Sequence, residues 1–263
     1  MDKAEKIYIA ADVGAGSGRV IAGSFDGRAL QLREVHRFEN PPVEDGEHLR
    51  WGADAIFNNI KEGIAKAASE YGEAVRSVGI DTWGVDYALL DAEGALIHQP
   101  YCYRDPRNQG MWDLANTIMS AERRFEITGI QHLPFNTLYQ LLADREHEPS
   151  LRDQVDSLLF IPDLVNYWLS GRKVNEVTIA STGELLDVGT GSWSDRILDT
   201  FGLPAKWFQE LIEPGERIGA LKAELCEELG VSALEVVAVP SHDTAAAVAA
   251  CPLLSQNSIY ISS

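Results

Sequence analysis

Cysteine is scarce in this sequence, and long apolar runs are absent from it. Its three cysteines, Cys102, Cys226 and Cys251, are odd in number and far apart. Such spacing argues against both a zinc-binding pattern and a disulfide framework, so we expect a protein of a reducing cytoplasm. No stretch of about 18 consecutive apolar residues occurs, so we expect no membrane-spanning helix and no membrane partner.

Basic residues are outnumbered by acidic ones. The chain carries 22 Lys and Arg against 40 Asp and Glu, which gives a formal net charge of −18. This balance argues against a nucleic-acid partner, because phosphate backbones require a cationic surface. The negative net charge does not exclude a small phosphorylated ligand, since backbone amides, one arginine or Mg²⁺ can hold a phosphate locally.

The alternation of apolar and polar residues predicts an α/β fold. The first part of the chain has the pattern of three strands, with a hairpin turn at Asp26-Gly27, followed by a helix and two more strands. The predicted strands are 6–13, 19–25, 30–38, 77–81 and 87–90, and the predicted helix is 54–68. This β-β-β-α-β order predicts a mixed sheet with an antiparallel start, flanked by helices.

The remainder of the chain is predicted to be mostly helical. The predicted helices are at about 110–127, 136–147, 162–169, 195–200, 205–211, 222–229 and 244–250. The predicted strands are 184–188, 236–239 and 258–261.

A glycine-rich stretch at 14–18 follows the first predicted strand. It has neither the dinucleotide-binding spacing nor a Walker-type Lys-Ser/Thr pair. Because strands are predicted on both sides of it, we expect it to form the tip of a hairpin. Small residues let backbone N–H groups approach a phosphate, and Ser17 and Arg19 would add a hydroxyl and a positive charge. Asp12 could hold Mg²⁺ directly or through water. The alternative is an ordinary tight turn beside a solvated carboxylate.

Two carboxylates flank a tryptophan between the strands predicted at 77–81 and 87–90. They are Asp81 and Asp86, with Trp83 between them, and Gly84 permits close backbone approach. A sugar suits this combination, because its apolar ring face stacks on an indole while its hydroxyls are hydrogen-bonded. The alternative is a turn that contains a core tryptophan.

A further polar set lies among apolar residues at 129–141. Its members His132, Asn136 and Gln140 could reach a polar ligand. Their neighbours have the character of core residues, and a lone histidine in such a setting is more often structural.

An imidazole and an acid follow the strand predicted at 236–239. Ser241, His242 and Asp243 lie where that strand gives way to an alanine-rich helix, and ligands of α/β sheets bind at such strand ends. Asp243 could accept a proton from a hydroxyl, with His242 and Thr244 beside it. The alternative is helix capping by Ser241 or Asp243.

Together these motifs resemble the FGGY carbohydrate kinases, a family with the actin-like ATPase (ribonuclease H-like) fold. The matching segments are DVGAGSGRV at 12–20, LREVHRF at 32–38, GIDTWGVDYALLD at 79–91, YRD at 103–105, GIQHLPFNTLYQL at 129–141 and SHDTAAAV at 241–248. They cover nearly the whole chain in the family's order. DTWGVD and SHDTA favour the branch that acts on rhamnulose over those that act on glycerol, xylulose or gluconate. Gly16 departs from a more usual Ser.

The resemblance implies an ATP-dependent transfer of phosphate to the 1-hydroxyl of a ketose. L-Rhamnulose is expected first, and the alternatives are L-fuculose, L-xylulose or sugar binding without catalysis. Asp243 would be the general base, and Asp12 would lie near Mg²⁺. The residues expected at the ATP phosphates are Ala15, Gly16, Ser17, Gly18 and Arg19. The residues expected at the sugar, from the motifs and the resemblance, are Trp83, Gly84, Asp86, Asn136, His242, Asp243 and Thr244.

The resemblance also implies two lobes. Residues 1–251 would form an N-terminal sugar-binding lobe and residues 252–263 the start of a second, truncated lobe, which in the family carries most of the adenosine pocket. The chain alone would then be a poor or inactive kinase that keeps weak sugar binding. An exposed apolar interlobe face is expected, and it could pair two copies as a homodimer.

Overall fold

The structure, a computed structural model, describes residues 6–252, 255 and 257–261. The strands are β1 (Lys6–Val13), β2 (Ser17–Phe25), β3 (Leu30–Glu39), β4 (Val43–Asp45), β5 (His48–Arg50), β6 (Val75–Thr82), β7 (Tyr87–Leu90), β8 (Ser157–Phe160), β9 (Asn175–Glu176), β10 (Leu186–Asp187), β11 (Ser192–Trp193), β12 (Leu211–Ile212), β13 (Arg217–Ala220) and β14 (Glu235–Val237). The helices are α1 (Ala53–Tyr71), α2 (Met111–Ile118), α3 (Ala121–Thr128), α4 (Thr137–His147), α5 (Leu151–Gln154), α6 (Ile161–Ser170), α7 (Val177–Ala180), α8 (Asp195–Phe201), α9 (Ala223–Leu229) and α10 (Asp243–Ala250). Within these described ranges, no helix has both the length and the apolar character needed to cross a membrane.

One mixed sheet organises the first layer of the fold. Its strand order is β13-β14-β6-β1-β2-β3. The neighbours β1, β2 and β3 are antiparallel, as predicted, whereas β6 is parallel to both β1 and β14. The inward face of β1 buries Ile7, Ile9 and Val13 in the same apolar core as Ile60 and Ile64 of α1, because strand alternation and helix periodicity both place apolar side chains there.

A second apolar core lies beside the sheet and is mostly helical. Leu138 of α4 and Leu158 and Phe160 of β8 are fully buried in it. Trp83, just after β6, belongs to the first core, and Tyr87, at the start of β7, belongs to the second. The segment 84–86 therefore connects the two cores.

The helix predicted at 110–127 is two helices in the structure, α2 and α3. The side chain of Ser120 accepts a hydrogen bond from the Arg123 amide at 3.3 Å, and Ser120 is the N-cap of α3. A capping serine starts a new helix because it satisfies one of the amides that the first turn leaves unpaired. A single polar residue within a helical pattern did not indicate this break.

Several predicted short elements differ from the structure. Of 184–188, only β10 pairs, with β11, and Glu184 has a φ of 62°, which lies outside the strand region. Of 205–211, only Ala205–Trp207 is helical, as a 3₁₀ turn. The strand predicted at 236–239 is β14.

The last predicted strand, 258–261, is irregular in the described part of the chain's end. A strand needs a pairing partner, and a local pattern of residues does not show whether one is present.

Three parallel segments end at the same edge of the main sheet. The Thr82 amide donates to the Ser241 carbonyl at 2.9 Å, and the Trp83 amide donates to the Val13 carbonyl at 3.3 Å. These bonds hold the end of β6 between the end of β1 and the residues before α10. Because ligands of α/β sheets bind outside the carboxyl ends of parallel strands, this edge is where a site is expected.

Candidate active site

Two cavities open at this edge of the sheet, and Asp243 lines both of them. The first, the acidic cavity, has a volume of about 490 Å³ and is also lined by Asp12, Arg19, Asp81 and Thr244. The second, the aromatic cavity, has a volume of about 520 Å³. Its lining residues are Trp83, Gly84, Val85, Tyr103, Ile130, Gln131, Leu133, Phe135, Asn136, Ser181, Thr182, His242 and Asp243.

The glycine-rich stretch is the tip of the β1–β2 hairpin. Val13 pairs with Gly18 across the hairpin, and the Gly14 amide donates to the Ser17 carbonyl at 2.9 Å. A side chain added at Gly16 would meet no atom within 4 Å, so the tip is open to a ligand. Of the predicted phosphate residues, Arg19 lines the acidic cavity, and Ala15, Gly16, Ser17 and Gly18 form the turn and the start of β2.

Asp12 and Arg19 face each other across the hairpin and form an ion pair. Arg19 Nε lies 2.9 Å and Nη2 lies 2.7 Å from Asp12 Oδ2. Both side chains are partly exposed, at 46% for Arg19 and 31% for Asp12. An exposed pair of this kind is weak, so an anionic phosphate can draw Arg19 away and a cation can take its place at Asp12.

Asp81 completes the acidic cavity, whereas the sequence grouped it with Trp83 and Asp86 as a candidate sugar-binding set. It is the direct neighbour of Asp12 in the register of β1 and β6. Burial, together with the carboxylates of Asp12 and Asp243, raises the pKa of Asp81 to about 8, against a smaller opposing effect of Arg19. Asp81 is therefore mostly protonated at neutral pH and adds little negative charge to the cavity.

A magnesium ion fits this cavity only if water and phosphate oxygens supply most of its ligands. Among the described residues, no three His, Cys, Asp or Glu side chains converge to chelate a metal ion. Mg²⁺ commonly keeps several waters and binds through one or two carboxylates plus substrate phosphates. Asp12, which is partly exposed and lines the cavity, is suited to that role.

Aromatic side chains form much of the second cavity. The rings of Tyr103 and Phe135 are 5.3 Å apart, and Trp83 packs on Trp51 with ring centroids 4.4 Å apart. Trp51 is fully buried and does not line the cavity, so it backs Trp83 from inside the core. The result is a rigid apolar surface with polar groups around it, as in small-molecule sites generally.

Asp86 lies behind the cavity wall rather than on it, although it was expected to contact the sugar. It is 1% exposed and is not among the lining residues. Its Oδ2 accepts from Trp51 Nε1 at 2.5 Å and from Trp83 Nε1 at 2.9 Å, and its Oδ1 accepts from Gln140 Nε2 at 2.8 Å. Burial raises the pKa of Asp86 to about 6, although these hydrogen bonds act to lower it. Asp86 therefore holds Trp83 in position.

The backbone at Gly84 and Val85 approaches its surroundings closely. A Cβ at Gly84 would lie 3.0 Å from Thr182 Cγ2 and 3.3 Å from His242 Nε2. Val85 has a φ of 70°, which a β-branched residue rarely adopts. Its amide donates to Thr182 Oγ1 at 3.0 Å, and its carbonyl accepts from Thr137 Oγ1 at 2.7 Å. Strained backbone of this kind persists where surrounding contacts compensate for it, and it is frequent at functional sites.

Asp243 is the first residue of α10, and the capping alternative does not describe it. The N-cap is His242, without a side-chain cap bond, and Ser241 Oγ donates to the Val239 carbonyl instead. Asp243 Oδ1 accepts from the Thr244 amide at 2.6 Å and from Thr244 Oγ1 at 3.2 Å. Within the described part of the chain, no donor reaches Oδ2, and the side chain is 41% exposed. Oδ2 is thus free to accept a proton.

His242 lies between Asp243 and Gly84. Its Nε2 is 3.4 Å from Asp243 Oδ1, and burial lowers the pKa of the imidazole, with the carboxylate opposing part of that effect. A neutral ring is therefore favoured at neutral pH. It provides a hydrogen-bonding group on the aromatic cavity without adding charge.

Glu176 fixes the segment that carries this site, and sequence reasoning missed it. Its Oε2 accepts from the Ser241 amide at 3.1 Å, and its carboxylate also caps α7 through the amides of Thr178 and Ile179. Thr178 Oγ1 in turn accepts from the His242 amide at 3.3 Å. The acid-to-threonine spacing at 176 and 178 is the only local signal of this cap.

Comparison with known proteins decides the family. Residues 7–250 match the FGGY family of carbohydrate kinases, N-terminal domain. The chain belongs to this family. It is 41% identical over 256 residues to rhamnulokinase of Bacteroides thetaiotaomicron, covering 97% of this chain and 53% of that protein. It is 43% identical over 259 residues to rhamnulokinase of Oceanobacillus iheyensis, covering 98% and 54%. The chain therefore spans about half the length of these relatives.

Solved structures of sugar kinases share the fold. A carbohydrate kinase of Novosphingobium aromaticivorans superposes with a TM-score of 0.79 at 23% identity, over 94% of this chain and 50% of that one. Glycerol kinase of Plasmodium falciparum, solved with ADP, gives 0.74 at 14% identity, over 89% and 48%. The predicted α/β class and actin-like fold are confirmed, and the FGGY resemblance is confirmed with them.

Proposed function

We propose that this chain is the sugar-binding lobe of an ATP-dependent ketose kinase, with L-rhamnulose as the ketose and its 1-hydroxyl as the acceptor. The observation that carries the proposal is the position of Asp243, which lines the aromatic and the acidic cavity at once. A base in this position can reach a hydroxyl in one cavity while it lies beside a phosphate in the other.

The aromatic cavity takes the ketose. Its volume of about 520 Å³ is in the usual range for small-molecule sites. Trp83, Tyr103 and Phe135 offer apolar faces, and Asn136 and His242 offer polar groups. The two rhamnulokinase relatives support L-rhamnulose as substrate. L-Fuculose and L-xylulose stay as alternatives, because L-fuculose differs from L-rhamnulose only in the configuration of one hydroxyl and L-xylulose is a smaller ketose that also carries a 1-hydroxyl.

Asp243 acts as the general base. Its Oδ2 takes the proton of the 1-hydroxyl while that oxygen forms its bond to the γ-phosphorus and the bond to ADP breaks. The products are the ketose 1-phosphate, ADP and the proton held by Asp243. Thr244 keeps Oδ1 in place, so the carboxylate is oriented before the sugar arrives. Phosphoryl transfer depends mainly on such positioning and on charge stabilisation.

The hairpin tip and the acidic cavity hold the phosphates. Backbone N–H groups at 15–18 can approach the phosphate oxygens, and Arg19 adds a positive charge once it leaves Asp12. Mg²⁺, when bound near Asp12 through water, would neutralise charge on the transferred phosphoryl group. The protonated Asp81 reduces repulsion between the cavity and the phosphates.

A second lobe would hold the adenosine and close over the reaction. We propose that residues 1–251 form the sugar-binding lobe, that residues 252–263 begin the second, and that closure excludes water from the γ-phosphate. Helix α10 supports an exposed interlobe face, because it has no buried residue and Val248 is 38% exposed. Pairing of two copies through this face stays a prediction.

The proposal is tested by ATP consumption with a panel of ketoses. We expect a C-terminally extended version of this chain to turn over L-rhamnulose faster than L-fuculose, L-xylulose or glycerol, and the 263-residue chain to bind the ketose with little turnover. An extended version that accepts no ketose contradicts the kinase proposal. If it binds a ketose without consuming ATP, it is a sugar-binding protein instead. Full activity in the short chain contradicts the need for a second lobe.

A further inference from the structure

One side of the aromatic cavity is an irregular loop, residues 129–136, between α3 and α4. Five of its residues line the cavity, namely Ile130, Gln131, Leu133, Phe135 and Asn136. The loop contains neither helix nor strand, so its shape depends on contacts with the elements around it.

These contacts converge on the carboxylate of Glu184. Its Oε1 accepts from Arg124 Nε at 2.8 Å and from His132 Nδ1 at 2.9 Å. Its Oε2 accepts from the Tyr139 hydroxyl at 2.7 Å and from Asn136 Nδ2 at 3.3 Å. One side chain thus connects α3, the middle and the C-terminal end of the loop, and α4.

The loop partners of Glu184 are themselves held at a second point. His132 Nε2 lies 2.9 Å from the Ala121 carbonyl oxygen, so each ring nitrogen lies next to an oxygen that can accept a hydrogen bond. Asn136 Nδ2 also donates to the Gln131 carbonyl at 3.0 Å, which ties the end of the loop to its middle. A displaced Glu184 would leave His132 and Asn136 with only these second contacts, so the loop would be held less firmly.

Glu184 is built into the fold at a conformational cost. Its φ is 62°, in the left-handed region that non-glycine residues rarely adopt. Glu184 and Arg124 are both 0% exposed, and a buried carboxylate of this kind is stable only when it is paired and hydrogen-bonded. Glu184 is not among the lining residues, so its contacts support the cavity wall from behind.

We propose that Glu184 is a positioning residue for sugar binding, which holds the loop 129–136 in its ligand-ready shape through His132 and Asn136. This rests on the proposed function, in which the aromatic cavity takes the ketose. A preformed wall avoids the cost of ordering the loop during binding. If the ordered arrangement falls to about a tenth of the population, the apparent Kd rises about 10-fold.

The test compares two buried carboxylates. Glu184→Gln keeps the size of the side chain and removes the charge. The matched control is Asp144→Asn, since Asp144 is also buried and pairs with Arg107 and Tyr87, and none of these three residues lines the aromatic cavity. Both variants are measured by hydrogen exchange of the amides at 129–136 and by calorimetric titration with L-rhamnulose.

We expect Glu184→Gln to raise loop exchange and to weaken L-rhamnulose binding, each by about 10-fold, while Asp144→Asn changes neither by more than about 2-fold. If Glu184→Gln does not fold, His132→Gln is the second variant. It should also raise loop exchange and weaken L-rhamnulose binding. Unchanged loop exchange and Kd in a folded Glu184 or His132 variant overturn the proposal. Equal effects of Asp144→Asn also overturn it, because they indicate general destabilisation.

The two proposals fail in different ways. If the wild-type chain binds no ketose at all, the proposed function is contradicted. The exchange measurement still decides whether Glu184 orders the loop, because it needs no ligand.

Discussion

Asp12 and Asp81 lie side by side at the carboxyl ends of two parallel strands, as direct partners in the register of β1 and β6. Both line the acidic cavity, with Asp243 as a third carboxyl group. Three such groups cannot all carry charge cheaply in a partly buried site, so one of them holds a proton. The raised pKa of Asp81, at about 8, makes it that group.

The pH dependence of stability should reveal this proton. Because the pKa of Asp81 in the folded state exceeds its ordinary value of 3.8, the protonated carboxyl stabilises the fold fully below about pH 4. That contribution is lost as pH rises through about 8. The free energy of unfolding of wild type, relative to Asp81→Asn, should fall by about 1.4 kcal/mol per pH unit across this window. Urea unfolding at pH 5, 7 and 9 measures it, and a difference that does not vary with pH would show that Asp81 ionises normally.

Removing the proposed base should separate turnover from binding. In the extended protein, we expect Asp243→Asn to lower kcat by about 10²- to 10⁴-fold, because the amide cannot take the proton. Ketose binding should survive, since the amide oxygen can still accept from the Thr244 amide. A coupled ATP assay and calorimetry measure the two effects, with Asp199→Asn, an exposed change on α8, as control. Retention of more than about a tenth of the wild-type kcat would exclude Asp243 as the base.

A methyl group at Gly84 should disturb the aromatic cavity. It would lie 3.0 Å from Thr182 Cγ2 and 3.3 Å from His242 Nε2, so Gly84→Ala must displace one of them. We expect a loss of about 1–3 kcal/mol in stability and weaker ketose binding. Adding Thr182→Ser to this variant removes the nearest methyl group, and it should partly restore both the stability and the ketose binding. Gly52→Ala is the control, because its nearest atom is an ordinary contact at 3.5 Å. Wild-type binding by Gly84→Ala would show that this contact does not shape the site.

Two glycines of the hairpin tip should differ in their sensitivity to replacement by alanine. A Cβ at Gly18 would lie 2.2 Å from Phe38 Cζ, whereas one at Gly16 meets nothing within 4 Å. Gly18→Ala should therefore lower the free energy of unfolding by about 1–3 kcal/mol, and Gly16→Ala should leave it nearly unchanged. Thermal or urea unfolding distinguishes them. Equal effects would mean that Phe38 can move aside and that the tip is not packed as described.

Local patterns predicted the antiparallel start of the fold and helix α1. The strands β1 to β3 and α1 each bury one face, and such half-buried elements carry period-2 or period-3.6 signals. The parallel pairing of β6 with β1 and β14 carries no local signal, because it joins segments about 70 to 160 residues apart. The proximity of Asp12 to Asp243 depends on that pairing, and before the structure only the family resemblance indicated it.

The sequence identified residues that lie near the candidate site, but it did not predict which contacts each of them makes there. The sequence placed Asp86 and Trp83 together as sugar contacts, whereas in the structure Asp86 is a buried acceptor for Trp51, Trp83 and Gln140. Two of these donors, Trp51 and Gln140, lie 35 and 54 residues away along the chain, so no local spacing could show its burial. Glu184 was missed for the same reason, since its partners lie 45 to 60 residues earlier in the chain.

The central claim is that Asp243 serves both cavities, as the base for a ketose in one and as the neighbour of a phosphate in the other. The most direct test is a crystal structure of this chain with L-rhamnulose bound. We predict the ketose in the aromatic cavity, with its 1-hydroxyl about 2.6–3.2 Å from an oxygen of Asp243. A ketose bound elsewhere, or one whose 1-hydroxyl points away from Asp243, would contradict the account.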